Sequence, residues 1–208
     1  MIQTTAEIVR EYGPFDGVEN VAGVTTDGTR VWFASGAAVT AFDAASGDIV
    51  KTLEIAAHAG TAFDGAHLYQ LDEDRIFKLD PSTGAVLSTI SVPADGSGLT
   101  WAEGTLWMAQ YSDGKIHQID PETGATLRTI ESDRFVTGVT WADGELWHAT
   151  WQDDESELRR VDPATGEVLE SVRMPPGVGI SGLESDGAAS FFCGNTSAGT
   201  VRVIRRPR

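Results

Sequence analysis

Loop residues that combine an imidazole with carboxylates are the first candidates for chemistry in this chain. His58 stands directly before a predicted strand, and Glu19 and Asp95 lie in loops of the same kind. An imidazole titrates near neutral pH, so His58 suits a general base or a metal ligand, although a solvated loop histidine is the simpler alternative. We predict that His58, Glu19 and Asp95 form the catalytic group.

The loops also carry aromatic and polar side chains that would hold a small molecule. Carboxylates beside aromatic rings favour a cationic amine, with ordinary surface charge on an acidic protein as the alternative. Loop oxygen atoms would suit Ca²⁺ or Mg²⁺, but we expect no cofactor, and no Cys-x-x-Cys or His-x-x-x-His spacing supports zinc. The predicted substrate-binding residues are Asn20, Ser97, Tyr111, Asp113, Phe135, Thr137, His148, Trp151, Ser181 and Asn195, of which His148 has a second interpretation as a partly buried strand residue.

These loops belong to a unit of about 40 residues that is repeated five times along the chain. The clearest copy runs from 98 to 130, and the next copy repeats its turns and its aromatic residue. Each unit reads as four short strands, a to d, because β-branched and aromatic residues alternate with polar ones between Gly, Asp and Pro. An Asp-Gly or Glu-Gly pair marks most a–b turns, and Asp-Pro-x-Thr-Gly marks three c–d turns.

The repeat predicts an all-β fold, a five-bladed β-propeller of four-stranded antiparallel blades in a single domain, 1–208. The fifth copy stops after its strand c, and residues 6–12 resemble the strand d of the first copy at 49–54. We therefore predict that the N-terminal strand closes the ring beside the last blade. The predicted boundaries are 21–55, 59–92, 97–131, 137–173 and 181–205, with 5–12 completing the last blade.

Residues that recur in every copy are explained by the architecture, whereas residues that depart from the repeat are candidates for function. The large strand-b aromatics recur, so packing between blades is favoured over a stacking cage. They are Trp32, Tyr69, Trp107, Trp147 and Phe191. The a–b and c–d turns are short and regular, while the d–a and b–c loops on the opposite face vary. A site is therefore expected where those loops surround the mouth of the central channel.

The overall charge narrows the possible partners and compartment. The formal net charge is −16 and the sequence pI is about 4.4, which disfavours nucleic acid and anionic membrane surfaces. The single cysteine, Cys193, excludes an intrachain disulfide, and residues 1–15 lack the pattern of a secretion signal. We expect a cytoplasmic monomer that binds a small molecule and neither nucleic acid nor membrane.

The repeat landmarks resemble those of the glutamine cyclotransferase (plant and bacterial glutaminyl cyclase) family. They are Gly-Leu-Thr-Trp at 98–101, Gly-Val-Thr-Trp at 138–141, the Asp-Pro-x-Thr-Gly turns and the count of five units. A more distant similarity is to the streptogramin (virginiamycin B) lyase-like propellers. The first resemblance implies a pocket lined by the residue before each strand-a glycine, namely Ala22, Ala59, Ser97, Thr137 and Ser181. The family's acid/base carboxylate would fall at Ala59, so His58 would have to replace it.

Two functions follow from these observations. The first is a small-molecule enzyme at the channel mouth, with cyclotransferase-like or lyase-like proton transfer on a small polar or amine-bearing substrate. The second is a non-catalytic propeller whose loop face binds a ligand or a protein. We favour the enzyme because the resemblance and the unrepeated His58 both point to proton transfer.

Overall fold

The computed structural model describes residues 2–207, which form five four-stranded antiparallel blades around a central channel and confirm the predicted all-β propeller. The described residues contain no helix that could cross a membrane. The chain begins with β1 (Ile2–Thr5) and β2 (Ile8–Tyr12), and the first blade then contains β3 (Val24–Thr26), β4 (Arg30–Ala34), β5 (Val39–Asp43) and β6 (Ile49–Leu53). The second blade contains β7 (Thr61–Phe63), β8 (Leu68–Asp72), β9 (Arg75–Leu79) and β10 (Val86–Ser91), and the third contains β11 (Gly96–Ala102), β12 (Thr105–Gln110), β13 (Lys115–Ile119) and β14 (Thr126–Glu131). The fourth blade contains β15 (Phe135–Ala142), β16 (Glu145–Gln152), β17 (Glu155–Val161) and β18 (Val168–Arg173), and the fifth contains β19 (Leu183–Ser185), β20 (Ser190–Gly194) and β21 (Val201–Arg205).

The c–d turns are built by their aspartates, as the repeat predicts. Asp120 Oδ1 accepts the backbone N–H groups of Glu122 and Thr123, both at 2.9 Å, and Gly124 supplies the positive φ of 76° that ends the turn. These backbone hydrogen bonds hold the pKa of Asp120 below its ordinary value. The same two bonds recur at Asp162, so turn chemistry accounts for the repeated aspartates.

The N-terminal segment forms two strands, and the second of them closes the ring, as predicted. β2 pairs antiparallel with β21, with Tyr12 opposite Val201, and supplies the missing outer strand of the fifth blade. β1 instead pairs parallel with β18, on the outer edge of the fourth blade. The chain changes blades at Ala6, which is buried and whose N–H donates to Arg173 O at 2.8 Å. Within the span 5–12, Thr5 ends β1 and Ile8–Tyr12 is the strand that completes the fifth blade.

The core consists of one hydrophobic cluster at each of the five junctions between blades. The recurring strand-b aromatics lie inside these clusters and are almost completely buried. Several stack on an aromatic residue of the next blade: the rings of Tyr69 and Trp101 are 5.4 Å apart, and those of Trp107 and Trp141 are 5.7 Å apart. This burial confirms that the aromatics pack the blades together.

Five glycines let the inner strands approach closely around the channel. They lie at the beginning of each strand a, and a Cβ atom on any of them would meet backbone of the following blade; the added atom would be 2.2 Å from Leu99 N at Gly60 and 2.6 Å from Val24 N at Gly182. Contact between neighbours continues around the whole ring. We call this set the glycine ring: Gly23, Gly60, Gly98, Gly138 and Gly182.

Candidate functional site

The mouth of the channel lies where the five inner strands begin, on the face that carries the d–a and b–c loops. Strand a runs from this face into the ring, so the residue before each ring glycine borders the opening. These residues are small, which leaves the entrance open to larger loop side chains. They are Ala22, Ala59, Ser97, Thr137 and Ser181.

His58 is paired with a carboxylate at this mouth. Its Nδ1 lies 2.7 Å from Oδ1 of Asp72, the last residue of β8. The two ends of the pair differ in exposure: the Asp72 side chain is 9% exposed and the His58 side chain is 64% exposed. A buried carboxylate that accepts from Nδ1–H fixes the tautomer of the imidazole and leaves Nε2 free to exchange a proton. The dyad therefore has the geometry of a general base facing solvent.

Glu19 and Asn20 border a shallow cavity of about 230 Å³ beside this dyad. Its other walls include Ser35 and Gly36 from the b–c loop of the first blade. Gly36 also packs near the imidazole, because a Cβ on it would lie 4.0 Å from Cδ2 of His58. Two of the predicted residues thus lie on the side of the mouth that carries His58.

A second cavity, of about 310 Å³, lies on the other side of the mouth. Three predicted substrate-binding residues, Tyr111, Thr137 and Trp151, line it together with Ile180 and Thr196. Two aromatic rings and an isoleucine make this cavity apolar, and its walls contain no carboxylate, histidine or basic residue. The expected combination of carboxylates with aromatic faces for a cationic amine is therefore not gathered in this cavity.

Thr137 differs from the two serines at the same position of the repeat. The Ser97 hydroxyl donates to Val136 O of the next blade at 2.7 Å, and the Ser181 hydroxyl donates to Val21 O in the same way. The buried Thr137 hydroxyl has no hydrogen-bond partner among the described residues. A buried hydroxyl without a partner is costly, so Thr137 is the one of the three that is available to a ligand in the cavity.

Two other predicted residues stabilise their own loops through hydrogen bonds. Asp95 Oδ2 accepts the Ser112 N–H at 2.7 Å, which joins the d–a and b–c loops of the third blade. Asn195 is buried; its amide donates to Thr200 Oγ1 at 3.0 Å and its Oδ1 accepts from the N–H of Ser197. Their hydrogen bonds stabilise the backbone, so we assign both residues a positioning role.

The remaining predicted residues lie at the junction of the third and fourth blades and do not line the two mouth cavities. Asp113 and Phe135 line an open cleft of about 470 Å³ on the loop face. Phe135 stacks on Tyr111 with ring centres 5.0 Å apart and so connects this cleft to the aromatic cavity. His148 is 1% exposed and lines a separate cavity of about 230 Å³ between the blades. His148 thus lies in a strand, as in its second interpretation, and is more deeply buried than that interpretation expects.

Glu184 is a functional candidate that sequence reasoning missed. It occupies the position of strand a that is Thr25, Thr100 or Thr140 in three other blades. The hydroxyls of all three threonines reach its carboxylate, at 3.1, 3.5 and 2.9 Å, so residues of four blades meet at one side chain inside the channel. Burial raises the pKa of Glu184 to about 7 although these hydroxyls oppose the rise. Comparison of strand a among the five copies would have shown this single carboxylate.

A family profile described as domain of unknown function DUF5074 matches residues 44–201, well over half of the chain. The chain belongs to the DUF5074 family. The match begins after the third strand of the first blade and ends at the first residue of β21, so it covers the second, third and fourth blades and parts of the first and fifth. No curated protein sequence matches the chain significantly.

Several solved propellers share the fold of this DUF5074 chain. Glutaminyl cyclase of Myxococcus xanthus is 18% identical, with 98% of this chain and 97% of that chain covered and a TM-score of 0.81. The Cps50 (Swd1) β-propeller domain of Myceliophteria thermophila is 9% identical, with 97% and 100% covered and a TM-score of 0.62. Hydrazine synthase of Kuenenia stuttgartiensis is 21% identical, with 85% of this chain and 56% of that chain covered and a TM-score of 0.56. The similarity over both full lengths supports a glutaminyl cyclase-like propeller fold.

Two features of the described residues of the DUF5074 chain concern acid/base and metal chemistry at the mouth. Ala59 carries no titratable group, and the His58–Asp72 pair is next to that position. No three His, Cys, Asp or Glu side chains come together as metal ligands within residues 2–207. Acid/base chemistry at the mouth would therefore depend on the dyad.

Glu184 predicts a pH dependence of stability in the DUF5074 chain. Because its folded-state pKa lies near 7 and its ordinary value is 4.5, the folded protein holds a proton that the unfolded chain releases between these pH values. Stability from this group is complete below about pH 4.5 and is lost as pH rises through 7, a change on the order of 3 kcal/mol. Urea unfolding at pH 5 and pH 8 should show a smaller difference for Glu184→Gln than for the wild type. Glu54→Gln, at an exposed position, should keep the wild-type difference; an unchanged difference in Glu184→Gln would contradict the assignment.

Proposed function

We propose that this chain is a small-molecule enzyme that uses His58 and Asp72 for proton transfer at the mouth of the channel, with cyclotransferase-like chemistry. The observation that carries the proposal is the 2.7 Å contact between His58 Nδ1 and a buried carboxylate in a position that no other copy of the repeat shares. Fold similarity over the whole length to a protein named as a glutaminyl cyclase supports the class of reaction.

The geometry of the dyad is compatible with both proton steps of such a reaction. In cyclisation of an N-terminal glutamine, the α-amino nitrogen bonds to the side-chain amide carbon, the carbon–nitrogen bond of the amide breaks, and ammonia leaves. His58 Nε2 would take the proton from the attacking amine and deliver it to the leaving nitrogen, so the imidazole ends neutral. Asp72 would hold the required tautomer and stabilise the transient imidazolium.

The mouth offers separate places for the two ends of a substrate. The amide that reacts must lie within reach of His58, beside the cavity of Glu19 and Asn20. The aromatic cavity of Tyr111 and Trp151 lies on the opposite side and would take the less polar remainder of the substrate. A peptide or amide with a polar N-terminal residue and an apolar next residue fits this division.

Replacement of His58 is expected to abolish turnover without unfolding the protein. The assay measures ammonia release from a glutaminyl-phenylalanine amide, the test peptide, because its two residues match the polar and apolar sides of the mouth. For both His58→Ala and Asp72→Asn we expect a fall in kcat on the order of 10² to 10⁴, the usual contribution of a general base or its orienting carboxylate. The melting temperature of His58→Ala should stay close to wild type because the His58 side chain is largely exposed.

The chain contains a matched control for this experiment. His67 Nδ1 lies 3.2 Å from Asp64 Oδ2, so it forms a second His–Asp pair, but on the face of the a–b turns. His67→Ala should leave turnover unchanged. Equal loss in His58→Ala and His67→Ala, or full activity in both, would refute the assignment of the dyad.

The apolar cavity favours a second candidate function, a propeller that binds a ligand without chemistry. Its walls lack any carboxylate, histidine or basic residue, yet they contain the unpartnered Thr137 hydroxyl that a ligand would satisfy. Calorimetric titration separates the two candidates. Saturable binding of the test peptide that persists in His58→Ala, with no ammonia release by the wild type, would establish the binding function and exclude the enzyme.

A further inference from the structure

The junction between the third and fourth blades contains a buried polar row where the rest of the ring is mostly apolar. His148 on β16 lies opposite Arg159 on β17, and both side chains are almost completely buried. The same pair of positions is Phe33 with Thr40 in the first blade. In the fifth blade it is Phe192 with Val203. Burial of a charge at this position is therefore not required by the propeller.

The Arg159 guanidinium is held by two carboxylates of different character. Its Nε donates to Glu157 Oε2 at 3.1 Å, and the Glu157 side chain is 5% exposed. Its Nη1 donates to Asp133 Oδ1 at 2.5 Å, but the Asp133 side chain is 77% exposed. The inner pair is thus a fixed part of the blade. The outer pair is open to solvent at its Asp133 end, so this carboxylate can give up its place on the guanidinium to another one.

A cavity of about 230 Å³ opens beside these groups. His148, Arg159 and Asp133 line it, and its remaining walls include the apolar side chains of Ile116 and Val161. Nδ1 of His148 is buried and has no hydrogen-bond partner among residues 2–207. Burial, with the nearby charge of Arg159, lowers the pKa of His148 to about 4, so the ring is neutral at pH 7. A neutral imidazole has one N–H to donate.

We propose that this cavity is a binding site for a small carboxylate anion, which replaces Asp133 on the Arg159 guanidinium and accepts a hydrogen bond from His148. Asp133 then acts as an internal stand-in for the ligand, because it presents a carboxylate to the same guanidinium edge. The apolar walls leave room for a short alkyl chain behind the carboxylate. This site is independent of the proposed chemistry at the mouth.

The charges around the cavity explain why an anion enters only in exchange for Asp133. Arg134 lies 3.6 Å from Glu157, so two arginines face Glu157 and Asp133, and the exposed Glu131 on the cavity wall adds a third carboxylate. The hydrogen bond from Arg159 lowers the pKa of Asp133, which is therefore ionised. An added anion would give the cluster an excess negative charge, whereas an anion that displaces Asp133 into solvent keeps the guanidinium neutralised.

Removal of Asp133 should increase the affinity for carboxylates. We suggest titrating acetate and propionate at constant ionic strength, with chloride as the balancing anion, and following the His148 imidazole by NMR. For Asp133→Ala the affinity should rise about fivefold above wild type, since a competing ion pair with an exposed carboxylate is worth about 1 kcal/mol. Asp113→Ala removes another exposed carboxylate, which pairs with Lys115 at 3.2 Å, and should bind like the wild type.

A second variant locates the anion in the cavity. His148→Phe places in the fourth blade the residue found at this position in the first and fifth blades, so the fold should tolerate it. Combined with Asp133→Ala it should abolish binding, which is then followed by calorimetry. An equal gain in Asp113→Ala would show a general effect of net charge and overturn the proposal. Undiminished affinity after His148→Phe would overturn it as well, because binding would lie outside this cavity.

Discussion

Removal of residues 1–12 is expected to unfold the entire ring cooperatively. Without β2 the fifth blade loses its outer strand, and the antiparallel register from Ile8 to Tyr12 against β21 is lost. The Tyr12 ring, which is buried against Phe42 of the first blade with centres 4.6 Å apart, is lost with it. Because each blade packs mainly on its two neighbours, an incomplete fifth blade weakens the contacts on both sides. We expect a loss of at least about 3 kcal/mol, or no folded protein.

A shorter deletion distinguishes closure of the ring from a general effect of shortening the chain. Removal of residues 1–5 deletes only β1, which adds a parallel strand to the outside of a fourth blade that is already complete. We expect that variant to keep a single transition, with a melting temperature lower by only a few degrees. Chemical unfolding followed by tryptophan fluorescence measures both. If the 1–12 deletion melts like the full chain, β2 does not close the ring.

Substitution of a ring glycine should have an effect of similar size. A Cβ on Gly60 would lie 2.2 Å from Leu99 N and 2.5 Å from the carbonyl carbon of Gly98, and backbone atoms cannot move aside as a side chain would. Gly60→Ala must therefore push the second and third blades apart, and we expect a cost of about 3 kcal/mol or more. The measurement is the free energy of urea unfolding.

Gly65 provides the control, because glycine is favoured there for a different reason than at Gly60. It has a positive φ of 97° in the a–b turn, and nothing lies within 4 Å of an added Cβ. Gly65→Ala should therefore cost only about 1 kcal/mol, from backbone strain alone. Equal losses at the two positions would mean that close approach of the blades is not what the glycine ring provides.

The fold was predictable because the repeat supplies several independent signals in each copy. Turn glycines, strand-b aromatics and Asp-Pro turns all indicate the same four-stranded unit. Because the fifth copy lacks a strand d, the repeat also predicts that an N-terminal strand, β2, takes this place. The interruption at Ala6 could not be predicted, since a short N-terminal strand may join either of two neighbouring outer edges. That choice depends on contacts such as the bond from Ala6 N–H to Arg173 O, which no local pattern encodes.

The site was predictable only in part, because its residues meet through the packing of different loops. His58 is recognisable as an unrepeated histidine, but its partner Asp72 is one of many loop carboxylates until the structure places the two 2.7 Å apart. Asp95 resembles a catalytic carboxylate in sequence and braces its loop in the structure. Glu184 departs from the repeat as clearly as His58 does, but it lies in strand a and not in the variable loops where the site was predicted.

The most direct test of a site at the channel mouth uses the four histidines as position-specific probes. His58 lies at the mouth, His67 on the opposite face, His117 on the third blade and His148 between blades. Imidazole NMR signals would be assigned by single substitutions and followed while the test peptide is added. A functional mouth predicts that the His58 signals shift in a saturable way while those of His67 and His117 do not. Saturable shifts at His67, with none at His58, would contradict a functional site at the mouth.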